Sequence, residues 1–186
     1  MSVHTVAVRK TTKPSLLDIA AEVLVADPAA SLSDVAEAAG IGRTTLHKHY
    51  ATRDDLLRAV GHRAVDLWTR AIDNVADDPE GGLGPLADAM IAIGPQLGFL
   101  WRSPILEHMP DLVERWTAVE LRALALLQRA RDRGVVTPDI PDWWLLQTFY
   151  SVIYSAWEAV KSGHLAPRDA PDLAVRTLLR GIGAAT

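Results

Sequence analysis

Between positions 41 and 53 the chain carries Arg43, Lys48 and Arg53 with His47 and His49, and no carboxylate. Thr44 and Thr45 add two hydroxyls to the same stretch. Cationic groups beside hydroxyls suit gripping phosphates and reaching base edges. On a helix, Leu46 and Tyr50 at i, i+4 share one face. Turning them inward leaves Thr44, Thr45, Lys48 and His49 outside, with Arg43 and His47 at the margins. His47 and His49 face apart on a helix, so joint metal ligation is not expected, and no metal site or cofactor is read elsewhere. Cysteine is absent, which excludes thiolate zinc sites and thiol nucleophiles. No His-Glu-x-x-His or nucleophile elbow occurs and the six histidines are scattered, so the chain does not read as an enzyme. The run Gly-Ile-Gly-Arg-Thr-Thr lacks the Lys-Ser/Thr and preceding strand of a phosphate loop.

The elements that must hold this stretch are helical. Ser31 and Asp34 have the spacing of a capping box, predicting a short helix to Ala39. Gly40 can take the left-handed conformation that a sharp reversal requires. A second short helix follows over about Arg43–His49. Thr52 and Asp55 form another box, opening a long helix to about Ala76 with Leu57, Val60, Ala64, Leu67, Trp68, Ala71 and Val75 at helical spacing. Val35, Ala36 and Ala39 are placed to meet Leu46 and Tyr50. A helix from about Ser15 to Ala26 precedes the pair, and residues 1–13 read as a flexible basic arm.

Asp-Val-Ala-Glu-Ala-Ala-Gly-Ile, Thr-Leu-His-Lys-His-Tyr and Thr-Arg-Asp-Asp-Leu-Leu, within residues 34–57, resemble the DNA-binding signature of TetR-family regulators. The resemblance covers about residues 15–60. It implies that Arg43, Thr44, Thr45, Lys48 and His49 lie on a recognition helix. By the same resemblance His47 stands where the family usually has a phosphate-contacting tyrosine, and Arg53 where a lysine caps the next helix near the DNA backbone. Gly42 and Thr44 depart from the family's usual serine and glycine. The family's mode of action further implies a repressor that a small molecule releases from a palindromic operator on double-stranded DNA.

The rest of the chain is also read as helices, making about nine in an all-α protein. The loop Asp-Asp-Pro-Glu-Gly-Gly-Leu-Gly-Pro at 77–85 separates off one or two helices over 85–101, broken near Gly94-Pro95. A short helix around 104–109 follows, then helices over about 111–133, 142–162 and 168–182. The domain reading is a helix-turn-helix module at 1–60 and an effector-binding and dimerisation domain at 61–186. Residues 1–60 hold seven basic and seven acidic groups, so the net charge of −4 lies wholly in the remainder, which would confine DNA to one face.

All six tryptophans lie beyond the DNA module. For any one of them, ordinary packing is the simplest reading. Trp68, Met90, Phe99, Trp101, Met109, Trp116, Phe149 and Tyr150 fall on the helices that, by the resemblance, enclose a ligand cavity. Such a lining suits a flat apolar or aromatic molecule, including a cationic one. Glu107, Glu120 and Glu158 are candidate polar anchors. The long helix from Arg53 would link the two sites, with Trp68 exposed to ligand. The helix over 142–162 is apolar around nearly its whole circumference, and the last helix adds Val175, Leu178, Leu179 and Ile182. One face of that pair would need a partner, giving a homodimer through a four-helix bundle. The first residues form no signal peptide and no window spans a bilayer, so no membrane association and a cytoplasmic location are expected. An architectural DNA-binding protein without effector has the same composition, as does a helical ligand-binding protein with a degenerate DNA module.

Overall fold

The computed structural model of the protein describes residues 14–76, 82–104 and 108–182. The expected basic arm, most of the 77–85 loop, and the centre of the expected helix around 104–109 with Glu107 lie outside the described residues. Nine α-helices occur among those described: α1 (Leu16–Ala26), α2 (Leu32–Ala38), α3 (Arg43–His49), α4 (Arg53–Ala76), α5 (Leu83–Ala92), α6 (Gly94–Arg102), α7 (Pro110–Asp132), α8 (Asp142–Lys161) and α9 (Ala170–Ile182). The all-α class and the helix order read from the sequence hold. The break at Gly94-Pro95 resolves the stretch after the loop into α5 and α6, which meet at 76°. No single helix among the described residues is long and apolar enough to cross a membrane.

Local hydrogen bonds set the helix starts. The Ser31 amide donates to the Asp34 carboxylate at 2.7 Å, and the Asp34 amide to the Ser31 hydroxyl at 3.3 Å. Thr52 and Asp55 repeat the arrangement at the head of α4. Ser15 and Asp18 form a third box on α1, which the sequence reading did not single out. After α2, Gly40 adopts φ +66°, and the Ile41 amide donates back to the Ala36 carbonyl at 3.0 Å. That pair of features is a Schellman ending, and it turns the chain sharply into α3.

Packing joins the N-terminal helices to the remainder through two helices. α4 runs parallel to α7 along a ladder of charges. Arg58 pairs with Asp111 at 2.5 Å, Arg115 with Asp66 at 2.5 Å, and Arg122 with Asp73. His62 bridges two rungs: its Nε2 lies 2.9 Å from Asp111, and its Nδ1 lies 2.6 Å from an Arg115 N–H. Because arginine only donates, Nδ1 must accept, and Nε2 carries the proton toward Asp111. α6 is the second connection. Its Gln96, the one buried polar side chain among the described residues, donates to Asp18 of α1 at 3.0 Å. Arg63 of α4 meets the same carboxylate oxygen at 3.4 Å. Gly94 and Gly98 let the Trp157 ring of α8 lie against α6, where any Cβ would collide with it.

Candidate functional site

The first site is the outer face of α3. Leu46 is fully buried, with Val35 and Ala36 of α2 beside it in the core and Tyr50 partly buried. That anchoring leaves Arg43, Thr44, Thr45, His47, Lys48 and His49 all exposed, as the i, i+4 reading expected. Gly42 caps the helix without a side-chain hydrogen bond. Arg53 is differently disposed. Its guanidinium turns inward, donating to the Ala30 carbonyl at 3.1 Å and the Pro28 carbonyl at 2.5 Å. It thereby ties the start of α4 to the loop between α1 and α2, while its backbone stays at the helix head.

The second site is a cavity of about 520 Å³ bounded by α6, α7 and α8. Trp101, Trp116, Tyr150 and Tyr154 supply aromatic walls, Glu120 a carboxylate, and Arg102 an exposed cation. The rings form a connected cluster: Trp101 and Tyr150 centroids are 5.6 Å apart, and Trp101 and Tyr154 5.9 Å. Burial pushes the Glu120 carboxyl above its ordinary range, against a weaker pull from the Trp116 indole N–H one turn earlier. The Tyr150 hydroxyl is buried without a hydrogen-bond partner, and burial, then the Glu120 charge, drive its pKa strongly upward.

The eight predicted ligand residues divide. Trp101, Trp116 and Tyr150 border this cavity. Phe99 and Met109 instead border a separate cavity of about 560 Å³ beside Arg53 and Arg58. Met90 and Phe149 are packed in the core, at 0% and 1% exposure. Trp68 corrects the sequence reading: it is 0% exposed, so it is not open to ligand. It lies behind the cavity wall, 4.5 Å from Trp116 and 5.4 Å from Tyr150 between ring centroids. The physical reason is its position on the inward stripe of α4, with α7 and α8 closing over it. Tyr154, Gln147, Ser151 and Ser155 border the cavity but were not read from the sequence. Tyr154 lies four residues beyond Tyr150, and that spacing was the available signal. Of the three acidic anchors, Glu120 borders the cavity, while Glu158 sits 3.9 Å from Lys161 on the same helix.

Comparison with known proteins assigns this architecture. The family model described as bacterial regulatory proteins, tetR family, matches residues 16–60. The transcriptional repressor LfrR of Mycolicibacterium smegmatis is 32% identical over 160 residues, covering 83% of this chain and 82% of LfrR. The chain belongs to the TetR family. It is accordingly a DNA-binding transcriptional regulator, a class without enzymatic activity. The regulator NfxB of Pseudomonas aeruginosa is 27% identical over 176 residues, covering 89% of this chain and 91% of NfxB. The crystal structure of LfrR in complex with proflavine superposes with a TM-score of 0.74 at 30% identity, over 91% of this chain and 95% of LfrR. A second LfrR crystal structure superposes at 0.63.

Proposed function

We propose that this TetR-family regulator is a repressor whose operator grip is released when a planar aromatic molecule fills the cavity between α6, α7 and α8. The observation that carries the reading is the contact of Trp68 with Trp116 and Tyr150. Trp68 belongs to α4, whose first turn adjoins the recognition helix, so anything that displaces the cavity wall pushes on α4. LfrR, similar along most of its length, is a repressor that binds proflavine, which supports the same ligand chemistry here.

In this reading residues 1–60 form the DNA domain and residues 61–186 the effector and dimer domain, with α4 crossing the boundary. Arg43, Thr44, Thr45, His47, Lys48 and His49 face the operator, and Arg53 positions the module from its inward contacts. Two copies join across α8 and α9, so that two recognition helices meet a palindromic site. Trp143, Trp144 and Leu173 support that pairing: they are 68%, 55% and 41% exposed and border an apolar groove of about 430 Å³. Leu178, expected at the interface, is 2% exposed and belongs to the protomer core. Substitutions at Trp144 and Leu173 are therefore the cleaner probes of the dimer by light scattering.

A ligand regulates only through a difference in its affinity for two arrangements of the protein. The test measures operator affinity by fluorescence anisotropy with and without saturating proflavine. The expected result is a loss of about 5- to 150-fold, with the same factor for proflavine affinity when operator is present. Equal affinities in both measurements would overturn the release mechanism.

A further inference from the structure

The cavity contains a carboxylate that its aromatic walls do not explain. Glu120 is partly buried one helical turn beyond Trp116, and burial holds its carboxyl above the ordinary range. Tyr150 of the wall is only 5% exposed, with its hydroxyl buried and unpartnered, so it offers Glu120 no counter-charge. The one cationic side chain among the lining residues is Arg102, which is exposed at the rim, and no ion pair joins it to Glu120 among the described residues. A core that needed only to be filled would place no charge here, because a desolvated carboxylate without a cation is costly. Aromatic faces concentrate negative potential on their π surfaces and attract cations as well. The walls and the carboxylate thus favour the same sign of charge.

We propose that Glu120 makes this cavity selective for planar aromatic cations, its carboxylate supplying the counter-charge while the surrounding rings supply the stacking faces. The assignment rests on the cavity reading above and adds the ligand's charge and the residue that selects it. A cation entering the cavity beside Trp101 and Tyr150 supplies the counter-charge that Glu120 lacks. A neutral ring of the same shape gains the stacking but leaves the carboxylate uncompensated. An anion is repelled by Glu120 and has only the exposed Arg102 to meet.

The experiment compares three probes of similar shape on the full-length protein: proflavine as an acridinium cation, diaminoanthracene as its neutral counterpart, and anthracene carboxylate as an anion. Affinities are read by fluorescence titration on wild type, Glu120→Gln, Glu120→Asp and Trp101→Ala. Wild type should prefer proflavine. Glu120→Gln should weaken proflavine by about tenfold to a hundredfold, the range for losing a charge-assisted hydrogen bond. It should leave diaminoanthracene within about twofold, while Glu120→Asp keeps the preference for the cation because the charge remains. Glu120→Gln binding all three probes as wild type does, while Trp101→Ala weakens them, would overturn cation selection and leave the cavity reading intact. Tightest binding of the carboxylate would overturn it too, in favour of Arg102. Trp101→Ala leaving every probe unaffected would instead remove the cavity itself as the site.

Discussion

The face of α3 and the aromatic cavity are opposite solutions to the problem of presenting chemistry. On α3 one buried leucine, Leu46, fixes a seven-residue helix, and six polar side chains stand free on its surface. Around the cavity the functional groups are themselves part of the packing. Trp116 is 9% and Tyr150 5% exposed, and each touches Trp68, which is wholly core. Substitutions on α3 should therefore change binding with little effect on folding, whereas around the cavity folding and binding are entangled. Depth separates the two there: Trp101, partly exposed, is a binding probe, and Trp68 is a folding probe.

The largest effect sharpens that division. Trp68→Ala should cost about 3–5 kcal/mol of stability, the range for deleting a large buried aromatic, measured by urea denaturation. A change below about 1 kcal/mol would mean that Trp68 borders open space after all. On α3, Arg43→Ala combined with Lys48→Ala should cost about 2–3 kcal/mol of operator affinity. It should also flatten the dependence on salt, by roughly one unit of slope for each phosphate no longer neutralised. The same double variant should unfold within about 0.5 kcal/mol of wild type, since both side chains are exposed. Unchanged affinity or salt slope would break the assignment of α3.

A smaller effect tests the turn that aims α3. Gly40 sits at φ +66° with open space where a Cβ would stand, so Gly40→Ala meets no steric clash and only backbone strain. The expected loss is about 1–2 kcal/mol of stability, with operator binding weakened through the misaimed helix. The smallest effect concerns the junction of the two regions. Burial alone would raise the Asp18 carboxyl, but hydrogen bonds from Ser15 and the charge of Arg63 outweigh it and hold the pKa below the ordinary value. Stability from a depressed carboxylate is present above the unfolded pKa of about 3.9 and is lost as pH falls through the lower folded value. Asp18→Asn should therefore flatten the loss of stability below about pH 4, leaving a less stable protein at neutral pH. An acid denaturation curve unchanged by the substitution would show that Asp18 adds nothing to the junction.

Interactions four residues long or shorter are legible in the chain before it folds. The capping boxes at Ser31 and Thr52, the left-handed Gly40 and the inward pairing of Leu46 with Tyr50 all act within one or two helical turns, so their geometry follows from spacing alone. The exposed face of α3 was legible for the same reason: once its buried side is fixed, its outer side follows. Whatever depends on partners remote in sequence was settled by the packing of the helices. Arg53 reads as a cationic contact until carbonyls 23 and 25 residues earlier claim its guanidinium. Leu178 reads as an interface residue until the protomer core covers it. The division of the aromatic residues into wall, core and separate cavity was likewise invisible, because a filled interior and a hollow one are built from the same apolar types at the same helical spacing. Only the way α4, α6, α7 and α8 close on one another leaves space beside Trp101 and none beside Trp68.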